Sequence, residues 1–100
     1  MINHVVLFKL KEFENEDLKA VVRSKIKKAL LVLKDRISEI KYMEVGENYD
    51  LNATSYDIGL ITHFESLADL DIYRIHPEHL KVIELINANT IGKAVVDFEF

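Results

Sequence analysis

Nine consecutive positions near the start of the chain alternate in polarity. Ile2, His4, Val6, Phe8 and Leu10 fall on one side of an extended segment, and Asn3, Val5, Leu7 and Lys9 on the other. A period of two predicts a strand over 2–10, with the Val6 and Phe8 side turned to the core. Asn15 then stands before Glu16 and Asp17, a cap followed by acidic residues where the helix dipole favours negative charge. Leu18, Val22, Ile26, Ala29, Leu33 and Ile37 recur at helical spacing and predict a helix to about residue 36. A second strand is expected over 39–46, with Ile40 and Tyr42 on one face and Met43 and Val45 on the other. The polar stretch "ENYDLNATS" at 47–55 is rich in turn formers and reads as a loop. In the third strand Tyr56, Ile58, Leu60, Thr62 and Phe64 alternate with Asp57, Gly59, Ile61 and His63. Ser66, with Asp69 three residues on, signals a short helix carrying Leu67, Leu70 and Tyr73 on one side. Pro77 cannot continue that helix but suits the first position of a new one. "IHPEHL" therefore reads as the corner before a helix of about 78–90. Ala94 to Phe100 is a last strand, with Val96, Phe98 and Phe100 alternating against Val95, Asp97 and Glu99.

The order strand, helix, strand, strand, helix pair, strand predicts an α+β, ferredoxin-like βαββαβ fold in a single domain over residues 1–100. Its four-stranded antiparallel sheet should run fourth–first–third–second, with the helices on one face. The first and third strands take the centre because their apolar alternation is the most continuous. The other face keeps Val5, Leu7, Met43, Val45, Ile61 and Val95. An apolar sheet face of that extent is rarely left to water. Two sheets are therefore expected to pack face to face in a homodimer, forming a dimeric α/β barrel.

Composition narrows the chemistry. The chain has 100 residues, 49% hydrophobic and 30% charged, and no cysteine, which removes disulfides, thiolate metal sites and cysteine catalysis. The formal net charge of -4 argues against nucleic acid as a partner, since phosphate binding rests on clustered positive charge. Lys19, Arg23 and Lys27 form a basic stripe at i, i+4 spacing, which reads as a solvated helix face. No apolar run approaches the roughly 20 residues that span a membrane, and no leader pattern opens the chain, so the expected location is the cytoplasm with no membrane partner.

The candidate chemistry sits in "YRIHPEH" at 73–79, which holds two of the four histidines and the only proline. His79 lies near a helix N-terminus, where the dipole disfavours imidazolium and keeps the ring able to accept a proton. Tyr73 lies on the inward side of the short helix, before the corner, with a hydroxyl able to donate a hydrogen bond. His4 lies on the helix-facing side of the first strand with Val6 and Phe8. These residues could converge in a cavity between sheet and helices. Buried tyrosines commonly satisfy a structural hydrogen bond, and histidines near helix starts commonly cap backbone groups. His76 fits that second description better than a site role, and His63 is expected near the dimer interface. Three imidazoles from His4, His76 and His79 would suit zinc or copper, but a proline corner between two of them and the lack of a placed carboxylate argue against a metal.

"HVVLFKLK" at 4–11 and "FESLADLDIYRIHPEH" at 64–79 resemble the Dabb family, the stress-responsive dimeric α+β barrel domains. The resemblance spans the chain in element order and implies a ferredoxin-like dimer. Within the family, a plant member closes a linear polyketide by intramolecular aldol condensation without a cofactor. Its acid–base pair falls on Tyr73 and His79 here, and its first-strand pocket histidine on His4. Aromatic residues of its first helix line its pocket, and Val22 and Ile26 stand at those positions here. The resemblance thus implies a smaller or aliphatic-walled pocket. Two function classes follow: a binding domain for an apolar or carbonyl-containing small molecule, and a cofactor-free acid–base enzyme using Tyr73 and His79.

Overall fold

The computed structural model describes residues 1–50, 52 and 54–100; positions 51 and 53 of the loop expected over 47–55 lie outside the described residues. The elements are β1 (Ile2–Leu10), α1 (Glu16–Arg36), β2 (Tyr42–Glu47), β3 (Ile58–Phe64), α2 (Leu67–Ile75), α3 (Pro77–Asn89) and β4 (Thr90–Glu99). Local chemistry sets the helix starts. The Asn15 side chain accepts from Leu18 N at 2.9 Å, and Ser66 Oγ accepts from Asp69 N at 3.2 Å. Each satisfies an N–H that has no partner within its helix.

The sheet is antiparallel throughout, in the order β2-β3-β1-β4. β1 and β3 are central, as their alternation predicts. Their helix-facing residues, Val6, Phe8, Ile58, Leu60 and Phe64 among them, are buried against Ile26, Leu30 and Leu33 of α1 and Ile86 of α3. Thr62 is the polar member of this layer, and its hydroxyl donates to the His4 carbonyl at 3.1 Å. Just before β3, Asp57 ties three segments together. Its N–H donates to Phe8 O at 2.8 Å, its Oδ2 accepts from Leu10 N at 2.7 Å, and its Oδ1 lies 3.1 Å from Lys19 Nζ. This knot anchors the end of β1 beside the start of α1, where the β1–β4 register shifts between Lys9 and Leu10.

The register corrects two facial assignments. Met43 pairs with Thr62 and Val45 with Leu60, so Met43 and Val45 face the helices rather than the open side, and Tyr42 takes the open side. Ile40 set the wrong phase. It is buried, but it lies in the turn before β2, where its N–H donates to Ile37 O, so its burial says nothing about strand alternation. In β4, Val95 pairs with Val6 and thus lies on the helix side, while Ala94, Val96 and Phe98 line the open side. Adjacent valines at 95 and 96 leave the phase of this strand undecided by hydrophobicity alone. The open face therefore consists of Val5 and Leu7 from β1, Ile61 and His63 from β3, Tyr42 from β2, and Val96 and Phe98 from β4.

Candidate functional site

The corner between α2 and α3 follows from two residues. The residue before a proline is held extended, and His76 has φ -62° and ψ 132°. Its Nδ1 accepts from Glu78 N at 3.1 Å, so His76 is the cap of α3. Pro77 takes the first helical position, where its missing N–H costs nothing. This geometry brings the end of α2 and the first turn of α3 onto β1 and β4.

A cavity of about 350 Å³ opens there. His4, Val6 and Phe8 of β1 form its floor, with Leu60 of β3 and Leu30 of α1. Tyr73 and Arg74 of α2, His79, Ile83 and Ile86 of α3, and Lys93 and Val95 of β4 complete the wall. The volume lies within the range of small-molecule sites. Five of the residues singled out from the sequence, His4, Val6, Phe8, Tyr73 and His79, thus share one cavity. Val22 and Ile26 do not line it: Ile26 is fully enclosed in the core and Val22 packs against it. The α1 contribution comes one turn later, from Leu30, because the cavity lies toward β4 whereas Ile26 points into the packed layer.

Tyr73 is the centre of an aromatic group. Its ring lies 4.1 Å from that of His79, 5.0 Å from Phe64 and 6.0 Å from His4, measured between centroids. The residue is only 1% exposed. Burial alone drives its phenol well above the ordinary tyrosine pKa, so the hydroxyl stays protonated. His79 Nδ1 donates to Arg74 O at 3.2 Å, which leaves Nε2 as the proton-accepting nitrogen of the neutral ring. Burial holds this imidazole below its usual pKa, with the nearby Lys93 ammonium acting the same way and the Arg74 carbonyl in the opposite direction. On the other side of Tyr73, His4 Nδ1 meets Asp97 Oδ1. The carboxylate fixes the proton on Nδ1 and orients the ring. Asp97 Oδ2 in turn accepts from Arg74 Nη2 at 2.9 Å, and Arg74 Nη1 reaches Asp71 at 2.8 Å.

The chain from Arg74 through Asp97 to His4, and the placement of Lys93, were not drawn from the sequence. A signal for them exists. Lys93, Asp97 and Glu99 share one parity of β4 while Ala94, Val96 and Phe98 share the other. Charged residues on the helix-facing side of a strand mark a place that the helices do not cover.

The sequence signature of the stress responsive A/B barrel domain, Dabb, matches residues 2–100. The chain belongs to the Dabb family. A dimeric protein of unknown function with a ferredoxin-like fold, from Bacteroides fragilis, is 35% identical to this Dabb chain, with 99% of this chain and 95% of that one covered and a TM-score of 0.87. A dimeric ferredoxin-like protein of unknown function from Thermobifida fusca is 23% identical over 99% of this chain and 90% of that one, with a TM-score of 0.83. The hydroxynitrile lyase of Passiflora edulis shares the fold at a TM-score of 0.80 and 16% identity, over 97% and 90% of the two chains. No protein of curated function matches the Dabb chain. Among the described residues, no helix is long and apolar enough to cross a membrane.

Proposed function

We propose that this Dabb domain binds a small carbonyl-containing molecule in the cavity and moves a proton on the carbon next to that carbonyl. The observation that carries the reading is the 4.1 Å contact of the Tyr73 and His79 rings in one cavity with His4 beyond them. In the reaction the C–H bond breaks, the proton passes to His79 Nε2, and the electron pair flows into an enolate. The Tyr73 hydroxyl donates a hydrogen bond to the developing oxyanion. The enolate then takes the proton back from His79 at carbon, or attacks a second carbonyl of the same molecule, forming a C–C bond as the C=O π bond opens to an alkoxide that takes the proton from His79. His4, its Nδ1 proton held by Asp97, keeps Nε2 as a hydrogen-bond acceptor beside the cavity. These steps call only on the chain's own acid and base groups. Solvent-deuterium exchange at the α-carbons of a panel of oxo-acids, followed by proton NMR, tests the reading. The wild type should accelerate exchange. Tyr73→Phe and His79→Ala should each lose about a hundredfold or more of it, while binding weakens only modestly. Tyr73→Phe should fold normally, because it removes one hydroxyl and keeps the ring that packs against Phe64 and His79. Binding without any exchange would leave the second reading, a domain that holds the molecule unchanged.

The acting unit in this proposal is a homodimer joined through the open sheet face, working in the cytoplasm. Leu7 is 39% exposed there, and Val96 and Phe98 are exposed beside it. Among the described residues, the buried Oδ1 of Asn3, on the same face, has no hydrogen-bond partner. Both features suit a face that meets another protein surface. The Bacteroides and Thermobifida relatives are dimeric.

A further inference from the structure

The cavity has a polarity opposite to that of the chain. The protein carries a formal net charge of -4, yet the ionisable residues along the cavity wall are His4, Tyr73, Arg74, His79 and Lys93, with no carboxylate among them. The two full cations differ in their engagement. Arg74 is held by Asp97 and Asp71. Asp97, the nearest acid in this network, has one oxygen on His4 and the other on Arg74, so its charge is already matched. Lys93 pairs with no carboxylate among the described residues. Its partner in the β1–β4 register is Phe8, which places its side chain on the cavity side of the sheet. The remaining lining is apolar, with Val6, Phe8, Ile83, Ile86 and Val95 among it. An uncompensated ammonium at the edge of an apolar cavity attracts an anion whose body is apolar.

We propose that the ligand is a small oxo-carboxylate, held by its carboxylate on Lys93 with its aliphatic body and carbonyl directed toward Tyr73 and His79. The inference rests on the proton-transfer reading of the same cavity and adds the chemical class. Lysine suits this task as a compact point charge on a flexible stem. A cavity of about 350 Å³ suits a small ligand, so the part of the acid inside it is short. The carboxylate also supplies an anchor remote from the reacting carbon, fixing which carbonyl meets the Tyr73 hydroxyl.

The test compares a series of linear oxo-acids with their methyl esters, binding being read by NMR titration of the intact protein. The wild type should bind acid over ester, and the preference should shrink as salt rises. Lys93→Gln should weaken the acid about tenfold, the lower end of a charge-assisted hydrogen bond at a partly exposed site. It should change the ester less than about twofold, and Lys93→Arg should restore most of the preference. Equal binding of acid and ester, or a preference untouched by Lys93→Gln, overturns the carboxylate inference and leaves the cavity reading standing. Failure of both acids and esters to perturb Tyr73 and His79 resonances overturns the two together.

Discussion

His79 combines a surface-facing address with a partly buried ring, and this sets a sign for its pH behaviour. Burial holds its pKa below the 6.5 of a free imidazole. Between the two values the unfolded chain binds more protons than the folded one, so stability rises with pH through that window. Its destabilising effect is fully present below the folded pKa and gone above about 6.5. In the proposed reaction, proton abstraction by the neutral ring follows the same direction. The acid limb of kcat/KM should lie below about pH 6.5, and His79→Ala should remove it. On the alkaline side, the raised pKa of Tyr73 means that activity should hold to about pH 10 with no loss from that hydroxyl. A pH–rate profile with urea midpoints at matched pH checks both, and an acid limb well above 6.5 would contradict the assignment. At this scale the sequence was informative where residue identity is scarce. The scarce histidines and single proline marked the stretch 73–79, and the resemblance to the Dabb family implied the roles of His4, Tyr73 and His79. It was uninformative for Lys93 and Asp97, because charged residues are common and their meaning here depends on the phase of one strand.

At the level of elements, the α2–α3 corner and the two outer strands behave differently. The corner is written in local chemistry: Ser66, His76 and Pro77 each act on backbone within three residues, so its form is legible without the rest of the fold. His76→Ala should cost about 1 kcal/mol, the usual loss of a helix cap, and thermal unfolding should register it. Because that side chain caps α3 and does not line the cavity, oxo-acid exchange should persist in the variant at temperatures where it stays folded. Failure to lose stability would mean that the His76–Glu78 bond contributes nothing. β2 and β4 lie at the two edges of the sheet, where each has one neighbour and incomplete cover. Burial then no longer imposes a clean alternation, and the phase comes from pairing with a central strand. Met43, Val45 and Val95 were misassigned for this reason, whereas β1 and β3, buried along their whole helix-facing sides, were read correctly.

For the whole molecule, the two sides of β1 separate the packed core from the open face proposed to join two copies. Val6→Asp or Phe8→Asp introduces a charge among residues 3% exposed and should abolish the folded state. Leu7→Asp and Phe98→Asp act on the open side and should yield a folded species of half the mass in sedimentation, with far-ultraviolet circular dichroism retained. Loss of fold in all four variants would contradict the two-sided reading. β4 serves both sides in alternate residues: Lys93 and Val95 toward the cavity, Ala94 and Val96 away from it. One peptide backbone thus connects the cavity to the open face. By reciprocity, a ligand that favours the associated form must tighten association by the same factor by which association tightens the ligand. Oxo-acid affinity should therefore fall on dilution through the dissociation range. A concentration-independent affinity would show the two sides of the strand to be energetically insulated.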